Sequence, residues 1–356
     1  MKVGIIGLPQ TGKKMLFQIL TGNEVKDASK SSKPLPGAAD IIDSRFDTLV
    51  DLYEPKKNVR ARIDLVLLPR MEAETISKGD IFKDIADMDA ICHVVRAFED
   101  EAVYHAGGSV DALRDFDMVN SELILHDQIF AEKRIERLSA MVKKIKDEDQ
   151  QKELVLMTKL KDFLESEKPL RMIELSEDEE KMIRSYPFIT RKKLVIAVNV
   201  SEQDLANDGI LSAFRERCEG LMIEVMLVSA KVEAEIALLD TKEEKEEFLK
   251  DLGIQETALE SLTKLCLKSL DLISFFTVGK DEVRQWLLRK GSKAPKAAGV
   301  IHSDLERGFI RAEVFKYDEL MEKGSEAELK KLGKIYVEGK DYVVEDGDIL
   351  NIRFSV

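Results

Sequence analysis

The 356-residue chain has three cysteines, four histidines, one tryptophan and no apolar run near the ~18 residues needed to cross a bilayer. Cys92, Cys218 and Cys266 lie far apart with no C-x-x-C spacing, which excludes a disulfide framework or a zinc site and leaves them as small buried hydrophobes. His93, His105, His126 and His302 show no ligand spacing with one another or with carboxylates, so no transition-metal centre is expected. The start MKVGIIGLP is too short and wrongly flanked for a signal peptide, and a cytoplasmic protein without membrane contact is expected. An excess of cations is lacking as well. Lys and Arg number 55 against 68 Asp and Glu, and a net charge of -13 argues against whole-surface attraction to nucleic acid, with no signal specific for DNA; a local basic patch stays open. What is present, 44% hydrophobic and 35% charged residues, describes an ordinary folded chain long enough for two or three domains.

Val3 to Ile6 reads as a short buried strand, followed by a loop with two glycines and by MLFQIL, whose spacing fits an amphipathic helix. Ala90–Val95, Leu194–Val198 and Ile223–Val228 are apolar on both faces, as central strands of a parallel sheet are, so an α/β sheet with right-handed crossovers is expected. Between about Asp117 and Ser185 glycine disappears and charge density rises. Apolar residues there fall at Ile135, Leu138, Val142 and Ile145, then at Leu154, Met157, Leu160 and Leu164, steps that are helical. A polar break at Lys146–Gln151 suits either an inserted hairpin of two antiparallel helices or a pair of ordinary surface helices. From Ile273 onward Gly291, Pro295, Gly299 and Gly308 punctuate short segments, a small mixed α and β unit. Its end, DYVVEDGDILNIRF, reads as two strands around an Asp346-Gly347 turn.

Gly7-Leu8-Pro9-Gln10-Thr11-Gly12-Lys13 matches G-x-x-x-x-G-K between a strand and a helix, the context a phosphate-binding loop requires. Glycines let successive backbone N–H groups converge on phosphates, the helix N-terminus adds partial positive charge, and Lys13 neutralises the outer phosphates. The next position departs from the pattern. A Ser or Thr hydroxyl there ordinarily ligates Mg²⁺, whereas Lys14 has no lone pair when protonated. Either nucleotide binds without the usual metal, or the loop no longer serves turnover.

GIIGLPQTGKKMLFQILTG, DAICHVVRAFED, VNVSE, VSAKVEAEIALLD, and above all APKAAGVIHSDLERGFIRAEV with EGKDYVVEDGDILNIRF together resemble the YchF-type, or Obg-like, P-loop NTPases along essentially the whole chain. The resemblance implies a Ras-like nucleotide-binding domain at 1–116 and 186–272, a helical coiled-coil hairpin inserted at 117–185, and a ubiquitin-like TGS domain at 273–356. It further implies ATP or GTP as ligand, with Gly7, Pro9, Gln10, Thr11, Gly12, Lys13 and Lys14 at the phosphates. Asn199-Val200-Ser201-Glu202 is similar to the family's N-x-x-E base loop, which tends to prefer ATP, and Ser229, Ala230 and Lys231 to its second base loop. His105 aligns with a histidine that the family uses in hydrolysis; an idle surface-loop histidine is the other reading.

The metal side of the resemblance is broken. Counted back from Ser77-Lys78-Gly79, Leu68 stands where the family's switch aspartate belongs and Met71 where its glycine belongs; Asp64 is the nearest upstream carboxylate. The segment KDASKSSKPLPGAAD has no Thr for switch one, and Ser31 or Ser32 are its candidates. No metal ligand is assigned, and whether Mg²⁺ is held stays open. The leading expectation is a regulatory purine-nucleotide-binding protein with weak or no hydrolysis; its rivals are a scaffold that has lost nucleotide binding and an ordinary ATPase or GTPase with nonstandard metal contacts. The resemblance implies a ribosome or RNA partner. Lys280, Arg284, Arg289, Lys290, Lys293 and Lys296 around Trp286 form either a phosphate-engaging patch or a solvated helix face.

Overall fold

The computed structural model describes residues 1–25, 33–72, 76, 79–105, 107–143 and 147–355, with the backbone alone at Lys242. Ser31, Ser32, Ser77, Lys78, Ile145 and Lys146 lie outside the described residues. The strands are β1 (Lys2–Ile6), β2 (Leu35–Asp40), β3 (Lys57–Val59), β4 (Arg62–Leu67), β5 (Ala90–Arg96), β6 (Lys193–Asn199), β7 (Ile223–Val228), β8 (Leu272–Thr277), β9 (Glu282–Arg289), β10 (Phe309–Lys316), β11 (Tyr336–Glu338) and β12 (Asp348–Phe354). They form two six-stranded sheets, ordered β2-β4-β1-β5-β6-β7 and β11-β10-β12-β8-β9-β3.

The first sheet holds the four expected strands. β1 pairs in parallel with β4 and β5, β5 with β6, and β6 with β7. β5 is buried along its whole length, the environment that a run apolar on both faces requires. The helix α1 (Lys13–Thr21) follows the loop after β1 and buries Leu16, Phe17 and Leu20. His93 is buried on β5 against Phe116, and desolvation pushes its pKa down to about 3, so it stays neutral. The three cysteines are buried, as expected. Among the described residues no helix is long and apolar enough to cross a membrane.

The glycine-free stretch forms two long helices, Ala112–Val142 and Glu148–Glu165. The carboxylates of Asp111 and Asp147 cap them by accepting backbone N–H groups of the first turn. Leu138, Leu156, Met157, Leu160 and Leu164 bury a shared seam, and Arg134 forks onto Glu153 across it at 2.7 and 3.0 Å. Deeper in, Asp127 is wholly buried. It accepts the Ile189 N–H, the Thr190 N–H and the Thr190 hydroxyl at 2.9, 2.7 and 2.7 Å, tying the long helix to the segment that enters β6.

The chain divides into two compact units, Met1–Ala39 with Asp64–Leu262, and Asp40–Ile63 with Thr263–Val356. The sequence boundaries differ from this division, since they keep 40–63 within 1–116 and begin the last domain at 273. The reason is tertiary. The helix α2 (Ser44–Tyr53) buries Phe46 and Leu49 in a cluster with Phe276, Val283, Phe315 and Ile349, and β3 extends the edge of β9 in parallel. Periodicity marks an amphipathic helix without saying which sheet it covers.

Two local expectations in the second unit are corrected. DYVVEDGDILNIRF is not a hairpin: β12 pairs antiparallel with β10 and parallel with β8, while Val343 makes a single bridge to Lys293. Side chains hold the turn instead, with Asp348 accepting from the Glu345 N–H, the Tyr342 hydroxyl and the Lys316 ammonium at 2.8, 2.7 and 2.6 Å. Gly347 does adopt the expected positive φ, at 85°. The cationic stretch at Trp286 is strand β9 rather than a helix face, and Trp286 has Phe275 stacked at 6.3 Å and the Arg284 guanidinium at 4.0 Å.

Candidate nucleotide site

The loop from Gly7 to Gly12 leaves β1 at its carboxyl end and opens directly into α1. Gly7 lies at φ 152°, where a Cβ would sit 2.5 Å from the Val94 carbonyl oxygen of β5. Gly12 caps α1 at φ 87°, where a Cβ would meet the Asn199 amide at 2.2 Å. Both glycines are therefore required by backbone geometry and by neighbours. Pro9 and Gln10 form the outer turn, with Gln10 exposed at φ 61°, and the buried Thr11 hydroxyl donates to the Leu8 carbonyl at 3.2 Å.

Lys13 is 5% exposed and its ammonium turns back onto the Gly7 carbonyl. Burial, then the nearby Arg70 charge, lower its pKa to about 7 against the opposing pull of Glu72. A cation so poorly compensated is poised for an anionic ligand. Lys14 is half-buried beside it. On the other side of the loop the Met71 N–H approaches the same Gly7 carbonyl at 3.4 Å, which brings the Arg70-Met71 segment against the phosphate loop. Arg70 pairs with Glu72 at 3.7 Å. Leu68 and Met71 are 2% and 1% exposed and belong to the apolar core with Ile81 and Phe82. Asp64 pairs with Lys2 at the opposite end of β1 and contacts the chain's amino terminus at 3.7 Å, away from the loop.

A cavity of about 630 Å³ adjoins Gly12, walled by Phe98 and Val103 on one side and by Val200, Glu202, Ser229 and Lys231 on the other. Asn199, at the end of β6, is 4% exposed and has both ends of its amide engaged. It donates to the Thr11 carbonyl at 3.0 Å and accepts the Ala230 N–H at 3.0 Å. It clasps the phosphate loop to the second base loop, so it positions the cavity walls rather than presenting an amide to a ring. Glu202 and Lys231 are exposed at the rim, and buried Ser229 caps the helix Ala230–Ile236.

His105 does not line the cavity. Its ring is 9% exposed, with Nε2 2.8 Å from Asp115 Oδ2 and with Nδ1 accepting the Gly107 N–H at 3.0 Å. Since Nδ1 accepts, the proton resides on Nε2 and is donated to Asp115, which also takes the Arg114 fork. Both ring nitrogens are used, and none is left to orient a water in this placement.

Sequence reasoning missed Arg96. It is 1% exposed at the end of β5, lies over Phe98 at 4.5 Å, and donates to the carbonyls of Phe98 and Val103 at 3.1 and 3.0 Å. It thereby shapes the loop that forms one cavity wall and leads to His105. The signal was an arginine closing an otherwise apolar strand, in VVRAF.

Ligands of open α/β sheets sit outside the carboxyl ends of the strands. A cavity there, bounded by a glycine-rich loop with a buried lysine and by the loops after β6 and β7, defines the P-loop nucleotide-binding class. The chain is 41% identical over 365 residues to the ribosome-binding ATPase YchF of Bacillus subtilis, covering 99% of each protein. It is 33% identical over 372 residues to the Obg-like ATPase 1 of Bos taurus, covering all of this chain and 92% of that protein. Among solved structures, the YchF GTPase of Schizosaccharomyces pombe superimposes with a TM-score of 0.84 at 29% identity, covering 99% of this chain and 97% of that one. Residues 272–355 match the family YchF-GTPase_C, described as a protein of unknown function. The chain belongs to the YchF and Obg-like ATPase family of P-loop nucleotide-binding proteins.

Proposed function

We propose that this protein is a regulatory purine-nucleotide-binding protein, cytoplasmic, with slow or negligible hydrolysis, that engages the ribosome or another RNA-containing particle. The reading is carried by one observation, the phosphate loop with its buried Lys13 beside a cavity whose walls Asn199 clasps together. The helix pair is read as a coiled-coil arm and the C-terminal unit as a TGS domain. Phosphoryl transfer depends mainly on positioning and charge neutralisation. Among the described residues, the positions read as the usual metal-side groups offer no ligand, since Lys14 is cationic and Leu68 and Met71 are sealed in the core, and His105 is engaged with Asp115. Purified protein should turn over ATP and GTP more slowly than about one per second, below the usual enzyme range. Faster turnover that is lost in Lys13→Ala would refute this. Glu202 at the rim, without a lysine before it, favours ATP at least as much as GTP. Competition titration with a GTP preference above tenfold, about 1.4 kcal/mol, would count against that choice.

The basic stretch supports the partner only in part. Lys293, Lys296 and Arg284 are paired with Asp341, Glu306 and Glu282 at 2.6, 3.7 and 3.9 Å. Lys280, Arg289 and Lys290 are exposed, with no ion pair among the described residues. A contact made through these three cations should weaken with salt at a log–log slope of about −2 to −3. Ribosome co-sedimentation across a salt series measures that slope, and salt-independent association would exclude the electrostatic contact.

A further inference from the structure

β5 and β6 each end in a buried polar residue, and the two stand side by side. Arg96 is in register with Asn199, whose carbonyl accepts the Ala97 N–H at 2.8 Å. Asn199 braces the loops on one side of the cavity, and Arg96, 1% exposed, gathers the wall on the other. Its guanidinium donates to the carbonyls of Phe98, Asp100, Val103 and Tyr104 at 3.1, 3.4, 3.0 and 3.4 Å and lies over the Phe98 ring at 4.5 Å. The stretch 98–104 has no strand or helix of its own. Within it the Val103 N–H meets the Asp100 carbonyl at 3.1 Å and the Ala102 N–H meets the Asp100 carboxylate at 2.9 Å, so the chain is wound around the buried cation. Phe98, Glu99, Asp100 and Val103 of this stretch line the cavity.

We infer that Arg96 is a positioning residue of the nucleotide site: by holding 98–104 in shape it presents Phe98 and Val103 to the nucleoside, while the phosphate loop receives the phosphates independently of it. This rests on the nucleotide-binding reading above. Burying a guanidinium is unfavourable, and Arg96 makes no ion pair among the described residues, so neutral carbonyls offset its desolvation. A wall held by apolar packing would avoid that penalty. What the guanidinium supplies is direction. Its N–H donors form a rigid planar fork that draws in carbonyls from several points of one loop. A wall fixed in advance also spares the ligand the entropy of ordering it. In the phosphate loop the Lys13 ammonium and the Thr11 hydroxyl donate to the Gly7 and Leu8 carbonyls instead, so each half of the site is built by its own hydrogen bonds.

Calorimetric titration of the full-length protein with ATP and with inorganic tripolyphosphate separates the two halves. Arg96→Met is expected to weaken ATP binding by about tenfold or more and to change tripolyphosphate binding by less than about twofold. Arg96→Lys, which keeps the charge and loses the fork, should fall between Arg96→Met and the native protein. Phe98→Ala should weaken ATP binding as well, and combined with Arg96→Met it should lose no more than Arg96→Met alone, because both act through one wall. Equal losses for ATP and tripolyphosphate, an ATP affinity unchanged in Arg96→Met, or losses that add in the double variant each overturn the inference and leave the nucleotide-binding reading standing. Where Arg96→Met does not fold, Arg96→Lys carries the same comparisons; where the native protein does not bind tripolyphosphate, the double variant decides. Failure of the native protein to bind ATP overturns both.

Discussion

Lys13→Ala should lower ATP affinity by more than a hundredfold, on the order of 3 kcal/mol or more, because it removes the buried charge that the proposed reading assigns to the phosphates. Its thermal midpoint should hold or rise. The native ammonium is desolvated and, among the described residues, has one carbonyl as its hydrogen-bond partner, so the ligand-free fold gains little from keeping it charged. The same lysine sets a pH dependence. Around it stand Arg70 and Lys14, which lower its pKa, Glu72, which raises it, and His93, which stays neutral across the accessible range. In the free protein Lys13 loses its proton as pH rises through about 7, while a bound triphosphate raises that value. Between the two values binding takes up a proton. Affinity is therefore fully present below pH 7 and falls by up to about tenfold per pH unit above it. Titrations at pH 8 in buffers of different ionisation enthalpy should count close to one proton absorbed per nucleotide; a count of zero would show that Lys13 is already charged in the free protein.

The second large effect concerns the fold. Asp127→Ala should cost about 3 kcal/mol or more, since it strands two backbone N–H groups and the Thr190 hydroxyl inside the protein. The unit carrying Asp127 should then melt about 6–12 °C lower. Asp127→Asn keeps one carbonyl acceptor and should lose less. ATP affinity measured below the transition should be unchanged, because Asp127 does not line the cavity. A midpoint within 2 °C of the native protein would mean that water replaces the carboxylate, an order-of-magnitude criterion set by the same scaling.

Strands apolar on both faces are legible because burial on both sides leaves no other composition, which is why β1, β5 and β6 fall where the text of the chain puts them; β7, at the sheet edge and only partly buried, is marked by its apolar run alone. The phosphate loop is legible because two glycines and a lysine have fixed geometric duties there. Asp127, Arg96 and the Asn199 clasp are different. Each is a buried polar group satisfied by backbone atoms, distant in sequence for Asp127 and Asn199 and in the following loop for Arg96, and such bonds leave no periodic trace. Asn199 shows the limit well: the motif flags the residue, while its bonds to Thr11 and Ala230 give it a bracing duty. The resemblance points to His105, but its docking to Asp115 needs the first turn of the long helix in place.

The two-part construction of the second unit has a consequence during synthesis. Phe46 and Leu49 leave the ribosome long before Phe276, Val283, Phe315 and Ile349, the partners that cover them. At 5–20 residues per second the nascent chain carries these apolar groups uncovered for roughly 10–50 s. β3 waits just as long for β9, with its backbone donors and acceptors unpaired, and the loop that finally closes them spans more than 200 residues at the slow logarithmic entropy cost of long closures. Residues 40–63 are thus the part of this protein most dependent on chaperone cover, and the completion of their unit is timed by the arrival of the last strand.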